Sequence, residues 1–164
     1  MKRLCIALIA STLLASGAGQ ATDLTINFVG SFRQATCSFS VDPVYLGDYD
    51  QDDFTAVGYT TPRIDVPIMS NGCDSLITAL TMTFTGTPDS TDGRHWALTP
   101  GGATGIAVSM ATKPGLPIIV GRTYSSLVLP AGKTYDFVAF YTQVAPEVTP
   151  GAANSNVVIN ITYR

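Results

Sequence analysis

Leu24-Thr25-Ile26-Asn27-Phe28-Val29-Gly30-Ser31-Phe32 is apolar at alternate positions, with one glycine in the middle of the stripe. Asn156-Val157-Val158-Ile159-Asn160-Ile161-Thr162-Tyr163-Arg164, at the other end, alternates as regularly. Both read as strands by period and by their β-branched and aromatic content. A strand buries its apolar row only against neighbours. A chain that opens on a spare strand and closes on an exposed one is expected to take a strand from another molecule and to give one away. The pattern points to a polymer subunit rather than to an enzyme.

Residues 1–21 read as a secretory leader that is removed. Lys2 and Arg3 provide a positive start, residues 4–14 are mostly apolar, and Gly19-Gln20-Ala21 offers small residues before a cut after Ala21. The apolar run is too short to span a bilayer as a helix. Removing 21 residues from 164 leaves 143, about one domain. Lys2 and Arg3 leave with the leader, so seven basic residues face twelve acidic ones, a net charge of −5. That balance argues against nucleic acid and anionic membrane as partners, and no other segment reads as membrane-inserted.

Cys5 departs with the leader, which leaves Cys37 and Cys73. An even pair in an exported chain reads as a disulfide. Closing a loop across 36 positions stabilises by roughly 3–4 kcal/mol in the chain-entropy picture. The competing reading is two free thiols or a metal pair. There is no Cys-x-x-Cys, and His95, the only histidine, offers little for zinc.

The composition is that of an all-β chain, with Thr, Val, Ile, Tyr and Phe punctuated by 15 Gly and 10 Pro, and no amphipathic helix stands out. Strands are expected over residues 37–41, 44–46, 63–69, 80–85, 106–110, 126–129, 134–142 and 156–163. Inward rows are Ile64, Val66 and Ile68; Leu80, Met82 and Phe84; Ile106, Val108 and Met110; and Tyr135, Phe137, Ala139 and Tyr141. Pro67 within its run implies an edge or a bulge. Short strands with regular turns argue for an antiparallel sandwich. Residues 144–155 form the main loop before the last strand.

Several motifs together resemble the pilins of chaperone–usher fimbriae of the type 1 kind, over essentially the whole mature length. They are the arm with Gly30 in mid-stripe, Ala35-Thr36-Cys37-Ser38, and Asn71-Gly72-Cys73-Asp74 followed by Met82-Thr83-Phe84-Thr85-Gly86-Thr87. Gly102-Ala103-Thr104-Gly105-Ile106-Ala107-Val108, Ala139-Phe140-Tyr141, Thr149-Pro150-Gly151 and the penultimate Tyr163 complete the set. The resemblance implies an incomplete immunoglobulin-like antiparallel sandwich (residues 37–164) lacking its last strand, preceded by a donor-strand arm (residues 22–36). It implies that a periplasmic chaperone lends a strand to the gap and that the next subunit's arm replaces it. An outer-membrane usher, neighbouring fimbrial subunits and a host receptor reached through the fibre are the implied partners. Passage through the periplasm would end in a cell-surface fimbria contributing to adhesion. No cofactor and no metal are implied. The short arm is similar to that of small minor or adaptor subunits; a terminator stays open, and a tip adhesin would need a further domain.

The expected donor row is Leu24, Ile26, Phe28, Gly30 and Phe32. Burying its four large side chains contributes on the order of 6–12 kcal/mol before entropy, and main-chain hydrogen bonds along an open edge add direction. Gly30 marks a shallow part of the groove, where a side chain would collide. The acceptor face should include Val157, Ile159, Ile161 and Tyr163. By resemblance, Gly151 and Tyr163 belong to the chaperone docking point. Arg164 would present a cation and a carboxylate for a chaperone to hold.

Other readings compete. The arm could complete its own sandwich, but residues 33–36 carry no Gly or Pro for the reversal this needs. The runner-up function is a secreted, monomeric β-sandwich binding module, lectin-like or otherwise. Asp48-Tyr49-Asp50-Gln51-Asp52-Asp53 begins like a calcium loop, but Asp53 and Tyr59 stand where Gly and Glu are needed, so a solvated acidic loop is expected. Arg94-His95-Trp96 could form a small binding patch, against a hairpin tip with Trp96 folded onto the sandwich. No catalytic set is found. The sequon at Asn160-Ile161-Thr162 lies within a strand and reads as chance.

Overall fold

The computed structural model describes residues 27, 29–31 and 34–164. The chain divides after Arg33, and the second unit, Gln34–Arg164, is the body described below. The leader and the donor-row residues Leu24, Ile26, Phe28 and Phe32 lie outside the described residues.

Alternation builds the body. Along Ala79–Gly86 (β3), Leu80, Met82 and Phe84 are 2%, 0% and 0% exposed, while the threonines between them face outward. Each inward side chain contributes roughly 1.5–3 kcal/mol by leaving water. The same period shapes Ile64–Cys73 (β2) and Val157–Tyr163 (β8), while Lys133–Gln143 (β7) is buried on both faces from Phe137 onward. The remaining strands are Cys37–Ser40 (β1), Ile106–Thr112 (β4), Pro117–Ile118 (β5) and Thr123–Leu127 (β6).

They form two antiparallel sheets, one in the order β1-β2-β7-β4-β5 and one in the order β6-β3-β8. Face to face they make an incomplete immunoglobulin-like sandwich. Its core centres on Phe137 of β7, which meets Phe84 and Tyr124 edge-on at 5.0 and 5.3 Å between ring centres. Offset aromatic pairs of this kind add to the area they bury.

Cys37 and Cys73 are bridged, and they face each other in the β1–β2 register. Pairing of β1 with β2 stops at Ser40 and Met69, so Pro67 lies past the end of β1 and has only β7 beside it. The edge implied by that proline is therefore local. Strand β4 is buried on both faces. Its outward Ala111 joins Val138 and Phe140 in a second small cluster, with the Arg63 guanidinium 5.3 Å over the Phe140 ring.

Two local expectations differ. Residues 44–46 form no strand, and the strand expected over 126–129 lies at Thr123–Leu127, because it is the pairing with β3 that sets its ends; β5, only two residues long, is too short to show a period.

Candidate functional site

Strand β8 is bonded on one side only. Its register runs from Leu80 opposite Tyr163 to Gly86 opposite Val157, and no strand of this body lies on its other edge. The inward row of β8 shows the consequence. Val157, Ile159 and Ile161 are only half-buried and Tyr163 is 36% exposed. The neighbouring row on β3 is closed to solvent. The two rows share a sheet and a face, so the difference comes from what is missing beyond the edge of β8.

Residues 41–49 make the opposite lip. After Ser40 the chain leaves β2, and among the described residues the backbone of 41–49 makes no hydrogen bond. This is why the expected strand at 44–46 does not form: its side chains pack, but its backbone has no neighbour to pair with. Leu46 is buried, and Val44 and Tyr49 pack on the core. Between the lips lies a groove of about 1020 Å³, floored by Val66, Val108, Met110, Ala139 and Tyr141. Its size is at the top of the range of roughly 300–1,000 Å³ seen for small-ligand sites. An unpaired backbone on each side suits a peptide strand better than a small molecule.

One end of the groove is held by tyrosines. The Tyr141 hydroxyl donates to the Ala153 carbonyl at 2.7 Å, and the Tyr49 ring stands 6.1 Å from the Tyr141 ring at a steep angle. Burial pushes the Tyr141 phenol above its ordinary pKa, so it stays a donor.

Gly151 lines the groove at this end. A Cβ there would stand 2.6 Å from the Ala103 nitrogen. The closeness comes from a ladder between residues 99–105 and 149–154: the Ala103 amide donates to the Ala152 carbonyl at 3.0 Å, and the Thr104 and Thr149 hydroxyls meet at 2.7 Å. A glycine is needed here by the packing of this chain itself.

Of the residues expected on the acceptor side, Gly151, Val157 and Ile159 come together in the groove. Ile161 packs on the core further along β8. Tyr163 and Arg164 stand at the far end, where the Arg164 amide donates to the Ala79 carbonyl at 3.0 Å and its own carbonyl accepts from Thr78 and Ala79. The sequence reading missed the entire lip at 41–49 as part of the site. The only available signal was the short apolar run at 44–46.

Gly30, among the few described residues ahead of the body, has no described atom close to it, and Val29 is 97% exposed.

The Arg94-His95-Trp96 cluster resolves into structure. Trp96 is fully buried, its indole N–H donates to the Thr85 carbonyl at 3.2 Å, and its backbone exchanges two bonds with Val108. Arg94 grips Asp92 at 2.6 Å and holds that carboxyl well below the usual carboxylate range. His95 Nδ1 meets Ser109 Oγ at 2.8 Å, and Ser109 Oγ meets Thr142 Oγ1 at 2.6 Å. With Asp92 3.5 Å from His95 Nε2, the order imitates a hydrolytic triad. Ser109 is 3% exposed and bonded twice, so no substrate reaches it. Burial lowers the pKa of His95, against the opposing pull of Asp92.

In the acidic loop, Asp53 turns its carboxylate back to accept from the Asp50 amide at 2.9 Å, closing the short turn at Gln51–Asp53. Among the described residues no three acidic, His or Cys side chains converge.

A model of the fimbrial protein family matches residues 26–164. Protein LpfE of Salmonella typhimurium is 30% identical over 171 residues, covering 98% of this chain and 94% of that protein. The S-fimbrial protein subunit SfaG of Escherichia coli is 29% identical over 141 residues, covering 82% of this chain and 79% of that one. Among solved structures, a Burkholderia pseudomallei antigen and type I fimbria protein superposes with a TM-score of 0.63 at 28% identity, over 79% of this chain and 100% of that one. The P pilus rod subunit PapA shares the fold, with a TM-score of 0.67 at 20% identity over 78% of this chain and 99% of that one. An all-β sandwich open along its last strand, matched by the family model from Ile26 to its last residue, belongs to the fimbrial protein family, and the chain is a pilus subunit.

Proposed function

We propose that this subunit is completed by a strand from another molecule and in turn completes the next, by donor-strand exchange. One observation carries the reading: two unpaired backbone edges, β8 and residues 41–49, face each other across an apolar groove. A strand laid between them satisfies both edges and covers the half-buried row of β8.

The chain holds a segment of suitable length. Residues 24–32 number nine, about 30 Å when extended at roughly 3.3 Å per residue. Strand β8 has seven residues, about 23 Å on the same rule. The donor is therefore residues 24–32, with Leu24, Ile26, Phe28 and Phe32 facing down and Gly30 at the shallow point. Residues 22–36 act as the arm and 37–164 as the accepting domain.

Before assembly an open groove exposes core, so a periplasmic chaperone covers it after the leader at residues 1–21 has directed export. An outer-membrane usher then passes the subunit into a surface fimbria. The role is mechanical, without catalysis or cofactor, and any contact with a host receptor is made through the fibre.

The test deletes residues 22–32 and follows incorporation into fibres in cells carrying a chaperone and an usher. The truncated chain should be captured by the chaperone and should take a neighbour's arm, yet donate no strand to another subunit. Normal elongation through it would defeat the reading. A lone chain that stays monodisperse and takes up no strand would point instead to a self-sufficient binding module.

A further inference from the structure

The groove has a charged end, and the arm has a charge to match. The only charged residues lining the groove among the described residues are Asp42 and Asp48. Asp50, Asp52 and Asp53 follow within five positions of Asp48, all exposed. None of these five carboxylates takes part in the ion pairs found among the described residues.

Their place along the groove is set by neighbours. Tyr49 packs against Tyr141, whose hydroxyl holds Ala153, and Phe54 packs on Tyr49. Asp48 and the three aspartates after it therefore lie where β8 begins, at Val157. The other end, where β8 finishes, carries Arg164, beside Thr78 and near the disulfide. Residues 41–49 thus run opposite to β8, with Asp42 toward the Arg164 end.

In sequence, the arm stripe ends in Phe32-Arg33 and begins after Asp23. Laid antiparallel to β8, a second copy's arm brings its Arg33 to the four aspartates and its Asp23 toward Arg164. Laid parallel, it brings Arg33 to Arg164 and Asp23 to the aspartates. Asp42 and the amino group at Thr22 that a cut after Ala21 would create reduce the contrast at the Arg164 end. They do not touch it at the other.

We infer that the groove is built for the arm of a second copy of this same chain, steered and oriented by Arg33 against the acidic lip formed by Asp48, Asp50, Asp52 and Asp53. This rests on the strand-acceptor reading above and adds its partner. The arm and groove of one sequence then match head to tail. Such a contact is heterologous and does not close, so it propagates into a filament of identical subunits. Charge at the mouth of a groove acts chiefly on rate and on choice of partner.

The test uses the mature full-length chain and fluorescent synthetic peptides of residues 22–34, followed by anisotropy. The wild-type peptide should enter the groove. The Arg33→Glu peptide should enter about tenfold or more slowly at low salt. The gap should close at 1 M salt, where screening acts over about 3 Å. A chain carrying Asp48→Lys and Asp50→Lys should prefer the Arg33→Glu peptide. Equal rates for both peptides at low salt overturn the charge inference and leave the strand-acceptor reading standing. Uptake of another fimbrial subunit's arm but not of this one overturns the second copy as occupant. Uptake of no peptide at all defeats both.

Discussion

Gly151 has room for a hydrogen and no more, because the Ala103 nitrogen would stand 2.6 Å from any Cβ. Gly151→Val is therefore expected to destabilise the body by about 1–3 kcal/mol, as overpacking does, and chemical denaturation will read it. Gly30→Leu should leave that denaturation curve unchanged, because no described residue lies within 4 Å of the site. Its effect should appear in strand donation, which it slows. The two glycines looked alike in the sequence as members of one family pattern. The structure separates them, since the ladder that crowds Gly151 joins segments about fifty residues apart. His95 makes the same point. Its partner Ser109 is 14 positions away and was not legible from spacing, whereas the burial of Trp96 was weighed and expected. Burial holds the folded His95 pKa below its ordinary 6.5. The unfolded chain then binds the proton first, so this group's contribution is complete above pH 6.5 and is lost as the pH falls below it. Denaturation of the wild type should show stability falling from pH 7.5 to 5.5, and His95→Asn should flatten that fall. An identical pH slope in the variant would show that His95 is not the titrating group.

Among the elements, strands whose inward rows are complete were legible from alternation alone. β3 and β7 lie close to where their rows of Leu80, Met82, Phe84 and Tyr135, Phe137, Ala139, Tyr141 placed them. Strand β5 was not legible because two residues have no period. The failure at residues 44–46 is more instructive. The side-chain pattern is that of a strand, but a strand also needs a neighbour, and the described residues place none there. Composition reports the apolar face and is silent about backbone pairing. β8 is the complementary case: the period is correct, yet its row is half-covered. On the proposed reading, the far end of β8 is where a periplasmic chaperone docks. Arg164 closes the sheet against Thr78 and Ala79 through its main chain, and Tyr163 extends the inward row. Removing Tyr163 and Arg164 is expected to abolish capture by a periplasmic chaperone and to send the chain to aggregation or degradation. Deleting residues 22–32 should spare capture. Co-purification of both truncations with the chaperone checks this, and equal capture of the C-terminal truncation would place the docking point elsewhere.

At the scale of the whole molecule, the body is a disulfide-bridged sandwich left open along β8, across the groove from residues 41–49. Folded domains are stable by only about 5–15 kcal/mol, and four large apolar side chains entering the groove contribute on the order of 6–12 kcal/mol before entropy. On the proposed donor-strand reading, completion by a neighbour would be comparable to the whole stability of an ordinary domain, and an open subunit would need cover before assembly. The most direct measurement is hydrogen–deuterium exchange on the mature chain, with and without an excess of a peptide of residues 22–34. The account predicts that amides of β8 and of residues 41–49 become protected together when the peptide binds, because one strand pairs with both edges. Protection of neither segment, or of β8 with residues 41–49 unchanged, would contradict it.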